Sequence, residues 1–376
     1  MMRKIVLMVA LMAGLALGLG GTGGPGVADE LPASRSFHMG FTPLPFDFTD
    51  AAFDETYDLI NAHSDIIGHH LDEGVPWLEA QSGSAFAPNV QADLQRRLQS
   101  TKPGQSVFLS VTPLALTRQG LAQNWGSDSH MPNPEAFAGA PLDAPHVKQA
   151  FTAYALDMIR QFEPKYFAYA IEISDLTGVP EVRAQFVNLA AHVYTEVKAQ
   201  HPDLKVFPTY TLGNGLYFEA GLADLMRELA PFTDVVAIST YPYVWDGVGG
   251  DAEGLPQDWF QKIADVLPDK PFAIAETGFI AGNFSKLSSL VWIRSNPESQ
   301  ATYVKRLIED AQELNAQFVI WYVPRDYDAL WEKMKANGMN GWFAQWMRAG
   351  LWDADGAGRP ALEIWEAWRA LPRSGE

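Results

Sequence analysis

The chain has 376 residues, 47% hydrophobic and 12% aromatic, enough for one large core and too apolar for disorder. It holds 45 acidic against 27 basic side chains, a formal charge of −18, and no cysteine. Disulfides and a lipid-modified thiol are thereby excluded, nucleic acid and anionic membrane are poor partners, and a neutral polysaccharide meets no electrostatic penalty.

Met1-Met2-Arg3-Lys4 precedes an uncharged run from Ile5 to Leu19 and then a glycine-rich tract ending in Gly26-Val27-Ala28. That is the layout of a secretory signal peptide over residues 1–28. Gly14 and Gly18 interrupt the run, which falls short of the ~20 residues of a membrane span. Losing Arg3 and Lys4 leaves 25 bases against 45 acids, a charge of −20. The expected product is a secreted or periplasmic monomer, without a membrane once the leader is removed.

Ser36 to Phe41 is the first strand candidate, followed by a helix over roughly Ala51 to Ala62. Asp65 to His70 is the second strand, with a helix near Val90 to Gln99, and Ser106 to Val111 is the third. The loop from Thr112 to about Ala144 is long, of the kind that is usually functional or mobile. Tyr166 to Ile173 is the fourth strand. Val182, Phe186, Leu189, Ala190, Val193, Tyr194 and Val197 then trace one buried helix face. Strands follow at Lys205 to Tyr210, Asp234 to Ser239, Lys270 to Glu276 and Gln317 to Trp321. Helices are expected over Leu216 to Ala230, over Asp258 to Leu267, and after the Asn296-Pro297 cap. Eight strands separated by helical stretches predict an α/β (β/α)8 TIM barrel. With no internal repeat or low-complexity linker, residues 29–376 read as a single domain.

Two acids stand at strand exits. In Phe272-Ala-Ile-Ala-Glu276, strict alternation puts Phe272, Ile274 and Glu276 on one face; in the fourth strand it groups Ala168, Ala170 and Glu172. Barrel enzymes place catalytic groups at the carboxyl ends of their strands, and two carboxylates flanking one bond are what glycoside hydrolysis requires.

The chain here resembles the large clan of retaining (β/α)8 glycoside hydrolases, with Glu172 matching the acid/base of strand four and Glu276 the nucleophile of strand seven. Tyr241 in Ser239-Thr-Tyr-Pro-Tyr243 matches the tyrosine that holds the nucleophile, and Trp321 the tryptophan that floors the sugar site. Gly350-Leu351, Asp355-Gly356 and Arg359-Pro-Ala-Leu362 look like the ending of clan members. Gly40-Phe-Thr-Pro43 and Glu276-Thr-Gly278 look most similar to arabinogalactan endo-β-1,4-galactanases. The resemblance implies an exported retaining glycosidase of β-linked polysaccharide or oligosaccharide, needing no cofactor. Ile171 stands where the clan has Asn before the acid/base, which leaves Ser174 or a loop residue to bind the sugar 2-hydroxyl. Where the clan carries Arg on strand two, this chain offers His69, His70 and Asp72, and Ser239 replaces a frequent His.

Trp77, Trp125, Trp245 and Trp292 fall in loops on the catalytic side, where flat rings stack on sugars or pack loops. Trp365 and Trp368, in the last helix, read as core. Two further functions stay open: a carbohydrate-binding barrel weak or lacking in turnover, fed by Ile171, and a metal-dependent barrel hydrolase built on His63, His69 and His70 with Asp65 and Asp72. The latter lacks the His-x-His expected on strand one.

Overall fold

The computed structural model describes residues 31–213, 221–245, 248–286, 291–339 and 341–374. The expected leader and residues 216–220 of the helix expected over Leu216–Ala230 lie outside the described residues. Eight parallel strands close a barrel in chain order. They are β1 (His38–Phe41), β2 (Ile66–Leu71), β3 (Ser106–Val111), β4 (Tyr166–Ala170), β5 (Lys205–Thr211), β6 (Val236–Thr240), β7 (Phe272–Thr277) and β8 (Phe318–Trp321). A helix follows each: α1 (Asp50–His63), α2 (Pro88–Ser100), α3 (Pro145–Phe162), α4 (Pro180–Gln200), α5 (Ala223–Leu229), α6 (Gln261–Ala264), α7 (Pro297–Glu313) and α8 (Pro360–Arg369). This is the expected (β/α)8 barrel.

Local chemistry sets the helix starts. Proline, which has no N–H to satisfy, opens α2, α3, α4, α7 and α8. The side chains of Thr49 and Asn296 cap α1 and α7 by accepting from Ala52 N and Ser299 N. Helix α3 stands where no helix was expected, between the long loop and β4. Its signal is in the sequence all the same: Val147, Ala150, Phe151, Tyr154, Ala155, Met158, Ile159 and Phe162 form one buried helix face.

Two apolar layers hold the barrel. The interior is filled by Ile66, Phe108, Tyr166, Ala168, Phe207, Val235, Ala237, Ala273, Ala275, Phe318 and Ile320. Phe318 is its centre, with ring centroids 4.8 Å from Phe108 and 4.7 Å from Tyr166. The larger layer lies between strands and helices and includes Trp365 and Trp368, as expected; the Trp365 indole N–H donates to His63 O at 3.1 Å. Gly40 lets β1 approach β2, since a Cβ there would stand 1.9 Å from Ile66 O.

Strict alternation fails on the two strands that matter most. On β7, Ala273 and Ala275 face the interior while Phe272 and Ile274 belong to the outer layer, the reverse of the expected plug beneath Glu276. The pairing with β6 runs Ile238↔Ile274 and then Ser239↔Glu276, so Ala275 is an inserted residue. That bulge returns Glu276 to the inner side. On β4, the pairing with β5 runs Ala168↔Phe207 and then Ala170↔Pro208. Tyr169 is the extra residue; its hydroxyl donates to Phe232 O at 3.1 Å, and Ala170 joins the outer layer rather than sharing Ala168's face. β4 also ends at Ala170, short of the expected Ile173, and a 3-10 turn follows over Ile173–Gly178.

Candidate active site

Glu172 sits between β4 and that 3-10 turn with φ 53° and ψ 54°, the left-handed region that a side chain rarely adopts. Such a conformation costs on the order of 1–3 kcal/mol and persists where surrounding structure enforces it. The enforcing contact is on β5: Glu172 N donates to Thr209 Oγ1 at 2.9 Å. Both flanking residues, Ile171 and Ile173, are buried.

Glu276, lifted by the β7 bulge, accepts the Tyr241 hydroxyl on Oε1 at 2.5 Å. Its Oε2 faces His70 Nε2 at 3.4 Å. His70 Nδ1 lies 2.6 Å from Ser110 Oγ, and burial lowers the imidazole to about 4, so the ring is neutral at neutral pH. Nε2 makes no hydrogen bond to the described residues, so His70 stands beside Glu276 without bonding it. Tyr322, after β8, and Trp346 stand edge-on to Tyr241 with centroids 5.8 Å away.

A cation reaches the site from outside β2. Arg118, on the long loop after β3, forks onto Asp72 with NH1–Oδ1 at 3.0 Å and NH2–Oδ2 at 2.8 Å. The same NH2 lies 3.7 Å from Glu172 Oε2. Arg118 also has a left-handed backbone, with φ 55°.

These charges make one electrostatic unit. Burial, and at Glu172 also the Glu276 charge, push both carboxyls up to about 7 against the opposing charge of Arg118. Only Glu276 also has the Tyr241 hydroxyl lowering it. The pair therefore holds one proton near neutrality, and that hydrogen bond favours Glu276 as the ionised member, with Glu172 carrying the proton. Both side chains still reach solvent, at 28% and 17% exposure. One protonated and one ionised carboxylate can donate a proton on one side of a bond and attack on the other.

The structure gathers Glu172, Glu276, Tyr241, His70 and Asp72, and sends four other expected contacts elsewhere. His69 points into the helical layer, fully buried, with Nε2 2.9 Å from Thr101 Oγ1, because it alternates with His70 along β2. Trp321 is fully buried in the outer layer and its indole donates to Ala349 O at 2.7 Å, so it floors no sugar site. Alternation with Phe318 and Ile320 turns it outward. Trp77 is fully buried, stacked on Phe137 at 5.1 Å and donating to Ala122 O. The Ser174 hydroxyl, 2% exposed, donates to Thr211 O at 2.9 Å, which takes it away from a sugar hydroxyl. Trp125 is buried, Trp292 is 58% exposed, and the Trp245 side chain is outside the description. Arg118, Tyr322 and Trp346 are additions. Of these only Arg118 had a sequence signal, as the basic residue of an unusually long loop on the catalytic face. No group of three or more His, Asp or Glu among the described residues is arranged to hold a metal ion.

No family profile matches the sequence, and no curated protein does. Solved structures share the barrel. An exo-β-1,4-mannosidase from Opitutaceae bacterium strain TAV5 superposes with a TM-score of 0.61 at 14% identity, over 90% of this chain and 60% of its own. This chain thus spans less than two thirds of that protein. A GH53 catalytic domain from Ignisphaera aggregans gives 0.58 at 16% identity, covering 90% and 97%. A fungal β-1,4-galactanase gives 0.55 at 14%, covering 89% and 99%. At these identities the likeness establishes the fold.

Proposed function

We propose that this protein is an exported glycoside hydrolase that cleaves a β-linked polysaccharide or oligosaccharide with retention. The observation that carries the reading is the tyrosine-held Glu276 facing a Glu172 raised by burial, at the carboxyl ends of β7 and β4. The pattern of residues 1–28 supports export, and barrel neighbours named for β-mannoside and β-galactan cleavage support the substrate class.

In the first step Glu276 attacks the anomeric carbon while Glu172 gives its proton to the leaving oxygen. In the second, Glu172 takes a proton from water, which displaces Glu276 from the same face the leaving group left. Arg118 tempers the negative charge of both states, and Tyr241 holds the nucleophile ionised and oriented.

A panel of aryl β-glycosides with galactan, glucan and mannan tests the reading through release of phenol or reducing sugar. Apolar Ile171 and Ile173, with the Ser174 hydroxyl already bonded, favour a second reading, a carbohydrate-binding barrel without turnover. Affinity for a glycan with no released sugar would decide for it.

Two substitutions probe the supporting groups. Tyr241→Phe removes a hydrogen bond to the charged form of Glu276, so kcat/KM should fall about 10- to 100-fold. The acid limb of its pH profile should move upward, because the nucleophile now ionises at higher pH. Arg118→Lys keeps the charge but loses the fork on Asp72, whereas Arg118→Gln loses both. Since Arg118 lowers both carboxyls, Arg118→Gln should shift both limbs of the kcat/KM bell upward, and Arg118→Lys should restore much of the wild-type profile. An unmoved profile in soluble, folded Arg118→Gln would remove Arg118 from the electrostatic unit.

A further inference from the structure

The loops leaving β7 and β8 line an open cavity of about 440 Å³, bounded among others by Asn283, Lys286, Trp331, Gln345 and Arg348. In a chain with 45 acids and 27 bases, the described lining contains two bases and no carboxylate. Arg348 lies across Gly282, where a Cβ would stand 2.9 Å from its Cδ and 3.3 Å from NH1, so the glycine makes the room. The carboxylate it faces is Asp328, at 4.0 Å, beyond hydrogen-bond reach. Gln345 is 3% exposed, and its Oε1 accepts no hydrogen bond from the described residues.

The cavity adjoins the catalytic centre through one segment, the 3-10 turn Gly341–Trp346. Ala344 and Gln345 line the cavity, while Trp346 stands edge-on to Tyr241.

We propose that the cavity is a subsite for an anionic sugar unit, a uronic acid residue of the substrate. Its carboxylate lies against the Arg348 fork, with Lys286 on the same lining. The inference rests on the glycosidase reading for the presence of a glycan and names that glycan's class. The surrounding negative charge would repel a polyuronate from the rest of the surface and leave this site as its point of attachment.

Calorimetric titration of the intact protein with neutral, uronate-bearing and sulfated oligosaccharides of equal length tests this. The uronate ligand should bind at least about tenfold tighter than the neutral one at low salt, and the advantage should collapse near 0.5 M salt, where charges are screened within about 4 Å. Arg348→Ala should remove the advantage, with Arg348→Lys retaining part of it. Equal affinity for neutral and uronate ligands, preference for the sulfated one, or an undiminished advantage in Arg348→Ala would each overturn the proposal. Titration needs no turnover, so the two readings fail separately. Uronate binding without released sugar sinks the glycosidase reading alone, and hydrolysis of neutral glycans without charge preference sinks this inference alone.

Discussion

Glu276→Ala is expected to abolish turnover on every substrate, with a loss of at least about 10^4-fold in kcat. Tyr241 does not take its place, because burial, the largest cause of its raised hydroxyl, remains when the Glu276 charge is gone, and His70 is neutral and buried. Good leaving groups should not help, because the missing atom is the one that forms the bond. Azide can enter the vacated space and displace the leaving group directly, so any azide adduct from a β-glycoside should have the α configuration. A β-azide from this variant would show that another residue still forms a covalent intermediate.

Glu172→Ala should behave differently. Substrates with poor leaving groups need its proton and should slow by about 10²- to 10⁴-fold, while aryl glycosides with acidic phenols should form the glycosyl-enzyme at nearly the wild-type rate. The second step then stalls, since the same residue removes the proton from water. Azide needs no base and should restore turnover, giving a β-glycosyl azide. Asp175 is the control, because it lies three residues on, is raised by burial, and shares the Arg118 charge. If Asp175→Ala gives the azide-rescued phenotype and Glu172→Ala does not, the acid/base assignment belongs to Asp175.

The backbone at Glu172 and the bulge at Ala275 explain why these two acids were legible as candidates but not as geometry. Glu172 and Glu276 are the acids that end two apolar runs, and that can be read from the chain alone. Their aim cannot. A parallel barrel strand is covered by the core on one side and helices on the other, so its sequence is apolar on both faces and does not mark which is inside. For β7, alanines could as well have faced the helices. The aromatic interior of Phe108, Tyr166, Phe207 and Phe318 takes up that space, and the small Ala273 and Ala275 face it.

The sequence alone therefore determined the eight strands, the barrel, the capped start of α7 and the two carboxylates, while Tyr241 beside Glu276 was legible only through the resemblance. These rest on local signals: periodicity, capping side chains, and an acid where an apolar run ends. Tertiary structure decided which face each residue takes and which loop supplies the cation. The bulges at Tyr169 and Ala275 arise from pairing with β5 and β6, not from their own strands. Trp321 and His69 turn outward because regular alternation carries them there, and Arg118 reaches Asp72 across 46 residues of chain. A contact of that separation is selected by the folded barrel, where Asp72 and Glu172 stand together at one rim and one arginine faces both.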